Sequence, residues 1–143
     1  MIICKMTAAH IAAIAQLEND CFADPWTETT LAEELHNPCA VFLVALIDDN
    51  VVGYLGCHHI ADEGYVTNIA VSKDFRRQGI ARQLLRYAKD QWQHLFRITL
   101  EVRVSNTAAI ALYESEGFSK DGIRPSFYRH PTEDAAIYSY YTR

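Results

Sequence analysis

The chain has 143 residues, 50% of them hydrophobic, with a formal net charge of −5. That length suits one domain around one core, residues 1–143, and the acidic balance argues against nucleic acid as a direct partner. No segment approaches the roughly 18 consecutive apolar residues of a membrane span, and Met1-Ile2-Ile3-Cys4-Lys5 lacks the apolar stretch of a signal peptide, so the expectation is a cytoplasmic protein with no membrane partner.

A short strand near residues 2 to 6 gives way at Thr7, an N-cap residue type, to a helix carrying Ile11, Ile14, Ala15, Leu17 and Phe22 and ended by Asp24-Pro25. Thr27 or Thr30 can cap a second helix through about His36, Thr30 and Glu33 having capping-box spacing. Ala40 to Ile47 is a continuous apolar run typical of a strand covered on both faces. Asp48-Asp49-Asn50 turns the chain, and Val51 to Cys57 returns as the other arm of a hairpin. Tyr65 to Val71 is the next strand. A helix follows with Ile80, Leu84, Leu85, Ala88 and Trp92 on one face. Arg97 to Val104 alternates strictly, with Ile98, Leu100, Val102 and Val104 on one side and Thr99, Glu101 and Arg103 on the other. Asn106 can cap a helix through about Glu116, with Gly117 placed as its C′ residue. Phe118 to Ile123 and Ala135 to Tyr141 read as two last strands, so strands and helices interleave through one α/β domain.

The richest chemistry lies between Asn68 and Ala81. A strand ends there in Ser72 to Phe75, followed by Arg76-Arg77-Gln78-Gly79-Ile80-Ala81. The first turn of a helix carries unpaired N–H groups and a partial positive charge, and Gly79 removes the side chain that would hold phosphate oxygens away. Arg76, Arg77 and Arg82 add cations. The segment has neither the Gly-x-x-x-x-Gly-Lys-Ser/Thr pattern of a P-loop nor the three glycines of a dinucleotide-binding turn. A basic cluster in an acidic protein points to a small anionic ligand.

Cys4, Cys21, Cys39 and Cys57 include no C-x-x-C pair and sit in apolar or strand-like surroundings, which predicts buried thiols. His58 and His59 are neighbours on a strand and face opposite ways, so no metal site is expected.

Arg76, Gly79 and Ala81 meet the pattern of Arg or Gln, two residues, Gly, one residue, Gly or Ala. It resembles the acyl-CoA-binding motif of the GNAT superfamily of N-acetyltransferases. Pro25-Trp26, Asn68 to Val71, Arg76 to Ala81, Leu100 to Phe118 and the tail around Glu133-Asp134-Ala135 together resemble the RimI group of that superfamily at consistent intervals. The resemblance implies a GNAT fold: a mostly antiparallel mixed sheet of six to seven strands, splayed at the cofactor site, with four helices. It also implies acetyl transfer from acetyl-CoA to the N-terminal alanine of a small-subunit ribosomal protein, without a metal.

The same resemblance makes Glu101 the base and Tyr113 the acid. An α-ammonium with a pKa of roughly 7.7 to 8.0 must lose a proton before it attacks, and the departing thiolate needs one. Ile69 and Val71 would pair with the pantetheine arm, Ala70 between them belonging to the same cofactor site, with the Val71 amide as the oxyanion donor. Arg76, Arg77, Gln78, Gly79, Ile80, Ala81 and Arg82 would hold the pyrophosphate, and Asn106 the cofactor from the opposite side. Pro25, Trp26 and Tyr128 would contact the acceptor. No cysteine is placed for an acyl-enzyme, so transfer is expected to be direct. Phe127 stands where the group often carries the first of two tyrosines, a departure near the acceptor groove. Two other readings keep the cofactor seat: a small amine as acceptor, or a non-catalytic acyl-CoA-binding regulatory module.

Overall fold

The structure is a computed structural model that describes residues 1–142. β1 (Ile2–Lys5) leads through a 3-10 turn at Ala8–His10 into α1 (Ile11–Cys21). Thr7 heads the 3-10 turn, not the α-helix, and α1 stops one residue before Phe22, which is extended at φ −130°, ψ 147°. Pro25 is the physical reason, because it disfavours helical geometry in the residue before it and the chain must leave the helix ahead of that point. α2 (Glu28–Glu34) starts at Thr27, whose hydroxyl accepts from the Thr30 N–H at 3.2 Å, so Thr30 lies inside the helix instead of capping it.

β2 (Ala40–Ile47) and β3 (Asn50–Ile60) form the hairpin, and β3 runs three residues past the predicted Cys57. β4 (Glu63–Val71), α3 (Ile80–Gln91), β5 (Arg97–Arg103) and α4 (Thr107–Ser115) follow. The alternation seen in β5 does not extend to Val104, which lies beyond the strand and is exposed. β6 (Ser119–Tyr128) is longer than predicted and passes through Pro125, which it can do because it is an edge strand. β7 (Glu133–Tyr141) completes an open seven-stranded sheet in the order β1-β2-β3-β4-β5-β7-β6. Cys57 is buried as expected, whereas Cys39 sits in the turn before β2 and is exposed.

Adjacent strands are antiparallel except β4 and β5, which run parallel with α3 as their crossover. Their ladder starts at Glu63–Arg97 and ends at Val66–Leu100. Beyond that pair the two strands part, and the last residues of β4 face a gap.

Each face of the sheet carries its own core. On one, Leu84, Leu85 and Ala88 of α3 pack with Leu55, Ile98, Leu100 and Phe118. On the other, Ile14, Leu17 and Leu31 of α1 and α2 pack with Phe42, Val44 and Tyr54. A fully buried leucine stabilises by about 2 kcal/mol, so these two layers hold the helices on either side of the gap.

Candidate active site

Two cavities open from the gap. The first, of about 800 Å³, lies against the start of α3 and is lined by Val71, Arg77, Gly79 and Arg82 among others. The second, of about 400 Å³, lies toward β5 and β6 and is lined by Glu18, Trp26, Asn68, Glu101 and Tyr128 among others. Phe22, Ile69, Asn106 and Tyr113 line both, so they form the passage where the cavities meet.

The α3 side has the features of an anion seat. Gly79 adopts φ 79°, a left-handed conformation that a side chain would strain, and a Cβ built there meets nothing within 4 Å. The space before the turn is therefore open. The first main-chain bond of α3 is Gln83 N–H to Gly79 O at 3.0 Å, which leaves the N–H groups of Ile80, Ala81 and Arg82 without helical partners. The three arginines differ in what they hold. Arg77 is exposed and makes no side-chain hydrogen bond or ion pair among the described residues. Arg76 turns back onto β4, its Nε donating to Val71 O at 3.1 Å and its Nη2 lying 3.4 Å from Cys21 Sγ. Arg82 donates from Nη1 to Glu116 Oε2 at 2.5 Å and to Ser115 Oγ at 2.8 Å.

The end of β4 presents backbone to the gap. Ser72 N–H bonds Val52 O across β3 at 2.8 Å. By the alternation of an antiparallel ladder, Ala70 also faces β3, while Ile69 and Val71 turn their N–H and C=O groups toward the gap.

Glu101 is the first residue of β5 past the last β4–β5 pair. Its side chain is 5% exposed. Oε1 accepts from the Tyr65 hydroxyl at 2.6 Å and lies 3.7 Å from Arg124 Nε, while Oε2 is buried without a hydrogen-bond partner. Tyr113 is held by the end of α4. Phe118 N–H donates to Tyr113 O at 3.0 Å and Gly117 N–H to Glu114 O at 3.1 Å, the paired bonds of a Schellman motif, with Gly117 at φ 91°. The Tyr113 and Phe118 rings lie 6.0 Å apart. Burial pushes the Tyr113 phenol well above its ordinary range, reinforced by nearby Tyr128, so it stays protonated at neutral pH. Asn106 Oδ1 caps α4 by accepting from Ala109 N–H at 3.2 Å.

The acceptor side contains residues that the sequence reading passed over. Glu18 is fully buried, with Oε1 accepting from Trp26 N–H at 2.9 Å and Oε2 from the Tyr54 hydroxyl at 2.5 Å. Burial pushes its carboxyl upward against the pull of those hydrogen bonds. A signal was present, since Glu18 occupies the i+7 position of the stripe begun by Ile11, Ile14 and Ala15, where an apolar residue belongs. Trp26 lines the cavity, whereas Pro25 does not and only steers the chain between Asp24 and Trp26. Gln78 likewise lies outside both linings. Tyr128 stacks under the Arg103 guanidinium at 4.5 Å, and burial with the Glu101 charge pushes its phenol up to about 12.

The sequence matches the model of the Acetyltransferase (GNAT) family over residues 11–118. The chain belongs to this family. Over 142 residues it is 37% identical to the ribosomal protein bS18-alanine N-acetyltransferase of Salmonella typhimurium, covering 92% of this chain and 91% of that one. With the enzyme of the same name from Escherichia coli K12 it is 34% identical over 134 residues, covering 92% and 88%. The crystal structure of the ribosomal-protein-S18-alanine N-acetyltransferase from Escherichia coli superposes with a TM-score of 0.91 at 32% identity, covering 99% of this chain and 93% of that chain. The expected GNAT fold is thus present, as a seven-stranded mixed sheet with four α-helices among the described residues.

Within this GNAT chain, the parted strands put a backbone edge and an open helix start on one side of the passage and a buried carboxylate on the other. Among the described residues, no group of three or more His, Cys, Asp or Glu side chains is placed to hold a metal ion. His58 instead lies 2.8 Å from Glu34 Oε2.

Proposed function

We propose that this chain, acting as one acetyltransferase domain, transfers acetyl from acetyl-CoA to the N-terminal α-amine of a protein. The acceptor is the N-terminal alanine of a small-subunit ribosomal protein, which places the reaction in the cytoplasm. One observation carries the reading: Tyr113 lines both cavities while Glu101 lines only the acceptor side, so an acid stands at the passage and a base beyond it. The names of the bacterial relatives support the choice of acceptor.

Acetyl-CoA supplies an acetyl group activated as a thioester. The open first turn of α3 and Arg77 hold the pyrophosphate, joined by Arg76 and Arg82 beside them, and Ile69 and Val71 pair with the amides of the pantetheine arm as a strand edge pairs with a peptide. Ala70, Ile80 and Ala81 line this seat, Gln78 belongs to the turn before it without lining it, and Asn106 closes it from α4. Glu101 takes a proton from the α-ammonium, freeing the nitrogen lone pair that forms the new C–N bond. The Val71 N–H stabilises the negative charge that develops on the carbonyl oxygen. Tyr113 gives its proton to the sulfur as the C–S bond breaks and the carbonyl re-forms, and the second proton that the nitrogen sheds to become an amide restores the Tyr113 phenol. Trp26 and Tyr128 shape the entry of the peptide, and Pro25, outside the lining, sets the course of the chain into Trp26.

The test is CoA release from acetyl-CoA with short peptides beginning in alanine, the same peptides with blocked α-amines, and a panel of small amines. Turnover that requires the free peptide amine is expected. Turnover with small amines alone overturns the acceptor, and acetyl-CoA binding with no turnover on any acceptor points to the regulatory module.

A further inference from the structure

Glu101 has lost its neighbour on one side. β4 and β5 pair only as far as Val66–Leu100, so the next residue of β5 stands at the open end of the ladder. Tyr65 is paired with Thr99 one step before that end, and its side chain reaches forward across the opening to Glu101 Oε1 at 2.6 Å. A 2.6 Å O–H···O contact is within the short range of hydrogen bonds to an ionised acceptor. Arg124 Nε, approaching the same oxygen from β6, is 3.7 Å away, beyond hydrogen-bond distance. The carboxylate is therefore held at one oxygen by one hydroxyl, and its other oxygen, Oε2, is buried with no protein partner.

We infer that Tyr65 is a positioning residue for the base, holding Glu101 by Oε1 so that Oε2 is the oxygen that receives the proton of the acceptor amine. This rests on the reading of Glu101 as the base. A phenol held by β4 on one side of the opening and a carboxylate on β5 at the other make a strut across the point where the strands separate. Without it, the Glu101 side chain is free to turn toward Arg124, which would direct both oxygens away from the amine.

Removal of the hydroxyl loosens the hold on the base, and the loss is felt most at low pH, where the acceptor amine arrives protonated and depends most on a well-placed base. Beside Arg124 on β6, the titratable groups lining the cavity that this carboxylate faces are Tyr128 on β6, Arg129 just after it, Arg103 on its own strand, Tyr113 on α4, Glu18 on α1 and Asp24 after α1, and Tyr65→Phe leaves all of them in place.

The experiment compares wild type, Tyr65→Phe, Glu101→Gln and the double variant in the full chain, with acetyl-CoA and an alanine-initiated peptide between pH 6 and pH 9.5. For Tyr65→Phe the expected result is a loss of about tenfold in kcat at the acid end, shrinking to about threefold or less at the alkaline end, with the KM for acetyl-CoA unchanged. In the Glu101→Gln background, Tyr65→Phe is expected to add no further loss. A Tyr65→Phe profile that matches wild type overturns the inference. So does a loss equal at every pH that persists beside Glu101→Gln, since that is a general structural effect. If Glu101→Gln itself keeps wild-type turnover, the base assignment falls and this inference falls with it, whatever Tyr65→Phe does.

Discussion

Arg82 in the first turn of α3 donates a 2.5 Å hydrogen bond to Glu116 at the end of α4. Arg86 Nε adds a second bond to Glu116 at 3.0 Å, and Lys89 Nζ donates to the Glu116 main-chain oxygen at 2.8 Å. The helix that opens toward the anion seat and the helix that carries Tyr113 are thereby fastened at one carboxylate. Burial pushes the Glu116 carboxyl upward, but the bonds from Arg86 and Arg82 and the charge of Lys89 outweigh it and hold the carboxyl below its usual range.

The sign of the pH effect follows. A depressed carboxyl contributes stability that is present above the ordinary carboxylate range and lost as pH falls through the folded value. Glu116→Gln is expected to lower unfolding free energy by about 2 kcal/mol at pH 7, with wild type and variant converging in acid. Urea unfolding at pH 7 and pH 3 measures both.

Glu18 has the opposite sign. Its carboxyl is raised by burial, so the native state becomes less stable as pH rises from the ordinary carboxylate range through the raised folded value. Glu18→Gln is expected to flatten that slope. Glu18→Ala leaves the Tyr54 hydroxyl and the Trp26 N–H without their acceptor and is expected to cost about 3 kcal/mol. Denaturant melts of both variants across pH 4 to 8 separate the two effects.

Gly79→Ala isolates the backbone requirement of the seat. The added methyl has no clash to relieve, so the stability cost comes from the left-handed φ and is about 1 kcal/mol. The same methyl projects into the cavity before α3, and the KM for acetyl-CoA is expected to rise severalfold with kcat little changed. Thermal melting and initial-rate kinetics check the two halves.

Arg77 and Arg82 are expected to behave differently although they are five residues apart on the same basic segment. Arg77→Ala removes an exposed guanidinium with no protein partner among the described residues and is expected to raise the KM for acetyl-CoA. Arg82→Ala removes a cation beside the seat and also breaks the contact to Glu116, and is expected to lower the melting temperature as well as raise that KM. A titration of acetyl-CoA binding alongside a melting curve for each variant decides this.

Glu101→Gln is expected to lower turnover by 10² or more, roughly, most strongly at low pH where the acceptor amine is hardest to deprotonate, with acetyl-CoA binding nearly unchanged. Tyr113→Phe is expected to slow transfer with little loss of cofactor affinity. Because burial keeps the Tyr113 phenol protonated, wild-type activity is expected not to fall on its account up to pH 9.5. Single-turnover rates against pH test each assignment separately.

Local chemistry made much of this molecule legible in the chain alone. Asn106 and Gly117 are residue types that begin and end helices by their own side chain or backbone freedom, and α4 lies between them as read. The run from Ala40 to Ile47 and the alternation of Ile98, Leu100 and Val102 follow from which faces must leave water, and both strands appear there. The glycine turn before α3 depends on neighbouring residues only. Two of the places where the reading slipped, the early end of α1 before Phe22 and the passage of β6 through Pro125, each involve a proline whose effect depends on where the strand or helix sits in the whole.

The sequence by itself determined the order of elements, the apolar faces of most strands and helices, and the glycine-opened helix start, because each rests on contacts within a few residues or on simple burial; the division of the expected single core into two layers came from the sheet. Only the tertiary structure decided that β4 and β5 separate after Val66–Leu100, that Arg82 turns to Glu116, and that Tyr65 reaches Glu101 from 36 positions away. Those are encounters between side chains brought together by the sheet order, and no local pattern records which distant hydroxyl or guanidinium the fold will set beside a buried carboxylate.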